Sequence, residues 1–150
     1  MIALGSDHGG FDLKQRVKAY LDEKHIPYKD YGCDSKESCD YPVYAKGVCG
    51  KVLADAGNAT PGDEPASFGI LVCGTGIGMS MTANHIPGIR AALCTTELHA
   101  RFTRLHNNAN VLCLGARVTG VELALAIVDT FLSTEFEGGR HQRRIDLLNA

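Results

Sequence analysis

Residues Phe68-Gly69-Ile70-Leu71-Val72-Cys73 form an almost unbroken apolar run that ends on Gly74-Thr75-Gly76-Ile77-Gly78. Such a run fits a strand covered on both faces, the kind found in parallel sheets sandwiched between helices. The alternating glycines cannot extend the strand, and they suit a tight passage into a helix. Working outward, Ile2–Ser6 and Asn110–Gly115 repeat the apolar pattern, while Tyr28–Gly32 and Arg90–Cys94 carry weaker versions of it.

Segments of helical period separate these runs. Leu13, Val17, Tyr20 and Leu21 recur on one face, as do Leu123, Ala124, Ile127, Val128 and Phe131, and both patterns predict amphipathic helices. Thr119-Gly120-Val121-Glu122 has the spacing of a capping box ahead of the second helix. Leu98, Phe102 and Leu105 give an apolar face to a further segment that exits at His106-Asn107-Asn108, and Ile145, Leu147 and Leu148 predict a terminal helix after Gly138. Asn58–Ser67, with Pro61, Gly62 and Pro65, reads as a surface loop. Strand and helix alternate throughout, so the expected architecture is α/β: a three-layer Rossmann-like fold with a five-stranded parallel sheet flanked by helices, the third and fifth strands central.

At 150 residues, 45% hydrophobic and 21% charged, the chain has the length of a single domain spanning residues 1–150. A net charge of -2 and a pI near 6.3 give no electrostatic case for nucleic acid or an anionic membrane as partner. The N-terminus lacks the basic and apolar regions of a signal peptide, and no apolar run is long enough for a bilayer; a cytoplasmic protein is expected. Cys33, Cys39, Cys49, Cys73, Cys94 and Cys113 show neither CxxC nor zinc-module spacing, so they read as reduced thiols and no metal site is expected.

Ligands of open parallel sheets bind beyond the carboxyl ends of the strands. Two unusual segments fall there, Asp7-His8-Gly9-Gly10 and Cys73 through Gly78. If their strands are neighbours, both face one cleft. Glycines at 74, 76 and 78 let several amides converge on one anion at a helix start, although glycines also make such turns without a ligand. A dinucleotide fingerprint would need glycine or alanine where Met79 stands, a Cys-x5-Arg phosphatase loop would need arginine there, and a Walker A loop would need a lysine that the segment lacks. An anion hole beside a cysteine is left.

Asp7-His8-Gly9-Gly10, Asp40-Tyr41-Pro42, Cys73-Gly74-Thr75-Gly76-Ile77-Gly78, Ala83-Asn84, Gly88-Ile89-Arg90-Ala91, His106-Asn107 and Glu137-Gly138-Gly139-Arg140-His141 together resemble the ribose-5-phosphate isomerase B family, in the same order along essentially the whole chain. The same superfamily includes galactose-6-phosphate and allose-6-phosphate isomerases. Two departures stand out: Asn108 occupies a position that is often aspartate in the family, and the connection Asn58–Ser67 is longer than usual.

The resemblance implies interconversion of ribose 5-phosphate and ribulose 5-phosphate without metal or organic cofactor. That chemistry moves a proton between adjacent carbons through an enediolate and needs a ring-opening group, a carbon base and an oxyanion stabiliser. Cys73, among converging amides, is the candidate base, a role the family shares; Cys94 and Cys113 read as buried strand cysteines. The amides of Gly74, Gly76, Ile77 and Gly78 would hold the enediolate, with Thr75 on a sugar hydroxyl. By resemblance, His106 assists ring opening, Asn107 contacts substrate, and Asp7 and His8 bind hydroxyls and phosphate. An Asp7 cap is the plainer reading of that residue. Tyr41 could line the cleft. His99 reads as a solvated surface residue. Arg140 and Arg144, at i,i+4 on one helix face, suit a phosphate, and Arg117 matches another family phosphate contact. The resemblance further implies a homodimer, with a tetramer as the alternative, whose active site is shared between subunits, with some of His106, Asn107 and Arg117 acting across the interface. Two other readings are a hexose 6-phosphate isomerase with the same machinery and a nucleotide-binding regulatory module; a redox sensor built on the six thiols fits their irregular spacing poorly.

Overall fold

In the computed structural model, which describes residues 1–148, five strands form one parallel sheet in the order β2-β1-β3-β5-β4. They are β1 (Ile2–Ser6), β2 (Tyr28–Asp30), β3 (Phe68–Cys73), β4 (Ala91–Leu93) and β5 (Val111–Gly115). The central strand β3 pairs with β1 from Ile2↔Phe68 to Ser6↔Val72 and with β5 from Gly69↔Val111 to Cys73↔Gly115. The apolar runs of β1 and β5 are buried at every position, as strands covered on both faces must be. β2 and β4, which lie at the edges, are only three residues long and half-exposed.

Six helices cover the sheet: α1 (Phe11–Glu23), α2 (Tyr41–Ala56), α3 (Ile77–Asn84), α4 (Glu97–Asn107), α5 (Val121–Ser133) and α6 (Arg140–Leu148). Leu13, Val17 and Leu21 of α1, Ala100 of α4 and Ile127, Val128 and Phe131 of α5 pack on one face. Val48 and Val52 of α2 with Met79 and Ala83 of α3 pack on the other. Each fully buried branched aliphatic side chain contributes roughly 1.5–3 kcal/mol.

Three expectations are corrected. The capping box at Thr119 does not form: Thr119 is buried in a turn, donating its N–H to Gly115 O, and Gly120 takes the extended cap position with no side-chain cap bond. α4 does not bury Leu98 and Phe102, which are 55% and 42% exposed; it buries Ala100 and Arg104. The second and fourth strands are shorter than Tyr28–Gly32 and Arg90–Cys94, although backbone bonds from Tyr31 to Leu4 and from Cys33 to Ser6 continue the register past β2.

The buried Arg104 explains its own position. Its guanidinium donates to Asn108 Oδ1 and Ala109 O at 2.7 Å, to Thr134 O at 3.1 Å and to Glu64 Oε2 at 2.7 Å. Asn108, in the left-handed region at φ 44°, caps α4 and donates through Nδ2 to Pro61 O at 2.8 Å and Asp63 O at 2.9 Å. The two departures seen in the sequence are therefore one feature. The amide of Asn108 is the donor that fastens the long 58–67 loop, and a carboxylate, an acceptor only when ionised, could not replace it.

Candidate active site

The carboxyl edge of the sheet gathers one group of the expected residues. Asp7, at the end of β1, caps a short 3-10 turn by accepting from Gly10 N–H at 3.1 Å, so the plainer reading of this residue is present. Gly10 lies so close to β3 that a Cβ there would fall 2.4 Å from Val72 O. That close approach sets the Asp7 turn against the Cys73 loop, and β1 and β3 are neighbours. His8 Nδ1 accepts from Cys39 N–H at 3.2 Å. The proton of the neutral ring therefore sits on Nε2, which makes that atom a donor. The fully buried Lys14 of α1 fixes the start of the same loop, donating to both oxygens of Asp30, at 2.9 and 3.0 Å, and to Cys33 O.

Cys73 ends β3, 5% exposed, and its Sγ accepts the Gly76 N–H at 3.1 Å. Gly76 stands in the left-handed region at φ 80°, and a Cβ would meet Leu93 Cδ1 at 2.4 Å. Only glycine fits there. Gly76 caps α3, whose first-turn amides have no intrahelical acceptors, while Thr75 Oγ1 accepts from Ile77 N–H at 3.3 Å. Tyr41 opens α2 and lays its ring on Gly78, within 2.5 Å of where a Cβ would stand. Arg117 donates its N–H to Gly74 O at 2.9 Å and passes its side chain 3.6 Å from the Cβ position of Gly74. Asp7, His8, Tyr41, Cys73, Gly74, Thr75, Gly76, Ile77, Gly78 and Arg117 thus lie together in one chain. Burial pushes the Cys49 and Cys94 thiols up to about 12 and the Cys113 thiol well above its usual value.

His106, Asn107, Arg140 and Arg144 are elsewhere. α4 is capped by Thr96, past the carboxyl end of β4, and runs back from Glu97 to Asn107 at the amino edge, a rise of about 16 Å for eleven residues. There His106 stacks on His141 of α6, with ring centroids 4.1 Å apart and planes at 13°. Glu137 places a carboxylate oxygen 3.8 Å from His106 Nε2. Burial, and then the charges of His106, Arg144 and Arg140, draw the His141 imidazole down, against the pull of Glu137. Arg144 and Asn107 share a cavity of about 230 Å³ with both histidines. A cavity of about 750 Å³ lies outside the β4 edge; Asn107 lines it and Cys73 does not. The candidate residues therefore fall in two separate groups at opposite ends of the sheet. Sequence reasoning missed Glu137 and His141 as neighbours of His106; their i,i+4 spacing was the available signal.

The arrangement is that of a doubly wound α/β protein with a cysteine and a glycine-rich loop at the carboxyl edge of its sheet. Residues 2–148 match the model of the Ribose/Galactose Isomerase family. The chain is 46% identical over 149 residues to ribose-5-phosphate isomerase B of Escherichia coli, covering 99% of this chain and 94% of that one. Among solved structures, a ribose 5-phosphate isomerase from Thermotoga maritima superposes with a TM-score of 0.89 at 53% identity, covering 99% of this chain and 96% of that one. Ribose-5-phosphate isomerase B of Mycoplasma genitalium with bound ribulose-5-phosphate gives 0.89 at 41% identity, with 99% and 93% covered. The chain belongs to the Ribose/Galactose Isomerase family.

Proposed function

We propose that this protein is an aldose–ketose isomerase that interconverts D-ribose 5-phosphate and D-ribulose 5-phosphate. The observation that carries the reading is Cys73 at the mouth of the amide loop, its sulfur facing the Gly76 N–H at 3.1 Å, in a chain whose relatives are named for this reaction and one of which binds ribulose-5-phosphate. Cys73 takes the proton from one carbon and returns it to the next. The amides of the Gly74–Gly78 loop hold the enediolate oxygens where charge develops. Thr75, Asp7 and Tyr41 position hydroxyls, and His8 Nε2–H and Arg117 serve as donors at the rim. The reaction is redox-neutral, and its scheme calls for no organic cofactor.

Ring opening and phosphate binding fall to His106, Asn107, Arg140 and Arg144, which in this reading come from a second copy of the chain. A homodimer would complete the site: a two-fold axis running across the strands would bring the amino edge of one chain to the carboxyl edge of the other. One observation supports it. Ile77 and Met81 on α3, 51% and 60% exposed, and Leu98 and Phe102 on α4 lie to either side of the short edge strand β4, a strip that a partner would cover. Among the described residues no helix is long and apolar enough to cross a membrane, in keeping with a cytoplasmic enzyme of small metabolites.

The test is turnover in chelator-treated buffer of ribose 5-phosphate against galactose 6-phosphate and allose 6-phosphate. The expected result is kcat/KM for the pentose at least about tenfold above either hexose, the order of discrimination that one misfitted carbon gives. Preference for a hexose would move the protein to the other branch of its family, and no turnover of any of the three would overturn the isomerase reading.

A further inference from the structure

The His106 half-site has a property that sugar chemistry does not require. His106 from the end of α4, Glu137 from the loop before α6 and His141 from the first turn of α6 bring two imidazole nitrogens and a carboxylate oxygen within 4.8 Å of one another. We propose that these three residues bind a borderline divalent transition-metal ion of the Zn2+ type, and that the bound ion inhibits the enzyme by withdrawing His106 from the sugar.

The donor set decides the class of ion. Two imidazoles and one carboxylate suit Zn2+, Co2+ or Ni2+ and disfavour Mg2+ and Ca2+, which prefer all-oxygen shells. Ligand bonds of 2.0–2.2 Å place neighbouring tetrahedral donors about 3.4 Å apart. His106 Nε2 and Glu137 Oε2, at 3.8 Å, are already near that spacing. The stacked rings must turn out of parallel so that both lone pairs meet at one point, a rotation about the soft terminal torsion of each histidine. The main chain of Glu137 is anchored beside His106, its backbone N–H donating to Leu105 O at 3.0 Å. Three protein ligands leave a coordination position open for water or substrate oxygen.

Two features limit the affinity and give the site its character. Arg144, in the same cavity, and Arg140 beside His141 repel a cation, so binding is reversible. The same arginines attract a phosphate. Metal and sugar phosphate therefore compete for one place. The inhibitory consequence rests on the isomerase reading; the binding itself does not.

The test uses full-length protein freed of metal by chelator, titrated with Co2+ and followed by its visible absorption, and with Zn2+ followed by rate. The expected result is one Co2+ per chain with the spectrum of a four- or five-coordinate ion, inhibition by Zn2+ that rising ribose 5-phosphate relieves, and reversal by chelator. His141→Ala and Glu137→Gln should each raise the half-saturating Co2+ concentration about tenfold or more, whereas His99→Ala, on the exposed side of α4, should leave it unchanged. Each variant's inhibition is read against its own chelated rate. Co2+ uptake unaffected by His141→Ala, or no Co2+ spectrum at concentrations up to about 1 mM, would overturn the proposal. A Co2+ site in a protein that turns over no sugar phosphate would keep the metal site and remove the isomerase reading.

Discussion

Cys73→Ala should lower kcat by about two to four orders of magnitude, the range that a positioned proton-transfer group supplies, while leaving the folded structure in place. The sulfur fills little space at the end of β3, and its one hydrogen-bond partner, Gly76 N–H, lies beside the cleft and can turn to water. The stability cost is about 1 kcal/mol, so the loss belongs to the chemical step. Cys73→Ser should recover little, because a hydroxyl is a far weaker proton acceptor than a thiolate. Cys94→Ala and Cys113→Ala are the controls. Their thiols are buried in the core and held protonated, and those variants should lose stability without losing kcat. Equal kcat losses at all three cysteines would show that position 73 acts only through packing.

Arg104→Met should destabilise the protein by about 3–5 kcal/mol, as removal of one partner of a buried charge network does, lowering Tm by about 10 °C in a chain of this length. Thermal unfolding followed by calorimetry measures it. The guanidinium is fully buried, 4.9 Å from the Phe68 ring and 5.8 Å from Phe131, and its removal leaves Asn108 Oδ1, Ala109 O and Thr134 O without their donor. Burial draws the Arg104 guanidinium down from its ordinary range while Glu64 opposes the shift. The group stays charged because guanidinium starts so high. Glu64→Gln separates the two halves of the bridge. Glu64 is half-exposed, so water replaces much of the interaction, and the loss should be under about 1 kcal/mol. The large term is therefore Arg104 with its carbonyls, and it holds the end of α4 where His106 and Asn107 project.

The strands were legible because three of them are buried on both faces and carry no polar alternation to confuse the pattern. α2 carries no clear helical period in the sequence: Gly47 and Gly50 interrupt it, and its buried set of Ala45, Val48, Cys49 and Val52 is small and mixed. The periodicity of α4 points the wrong way because its buried residues are Ala100 and Arg104 while Leu98 and Phe102 face solvent. The group around Cys73 could be assembled from sequence because each member follows directly on a strand or opens a helix at the same edge. The separation of His106 from Cys73 could not, since it depends on α4 running back along the edge strand to the opposite end of the sheet. Asn108 and the 58–67 loop were each visible as oddities; that one ties down the other is a matter of tertiary contact.

The claim on which the rest depends is that each working site joins the Cys73 half of one chain to the His106 half of another. It is tested by mixing two inactive variants, Cys73→Ala and Arg140→Ala/Arg144→Ala, unfolding and refolding them together, and assaying ribose 5-phosphate turnover. A shared site predicts that activity returns to roughly a quarter of wild type, because half of randomly paired dimers are mixed and each of those has one intact site. A mixture as inactive as its parents, with mixed dimers verified by mass, would contradict the shared site and require both half-sites to serve within one chain.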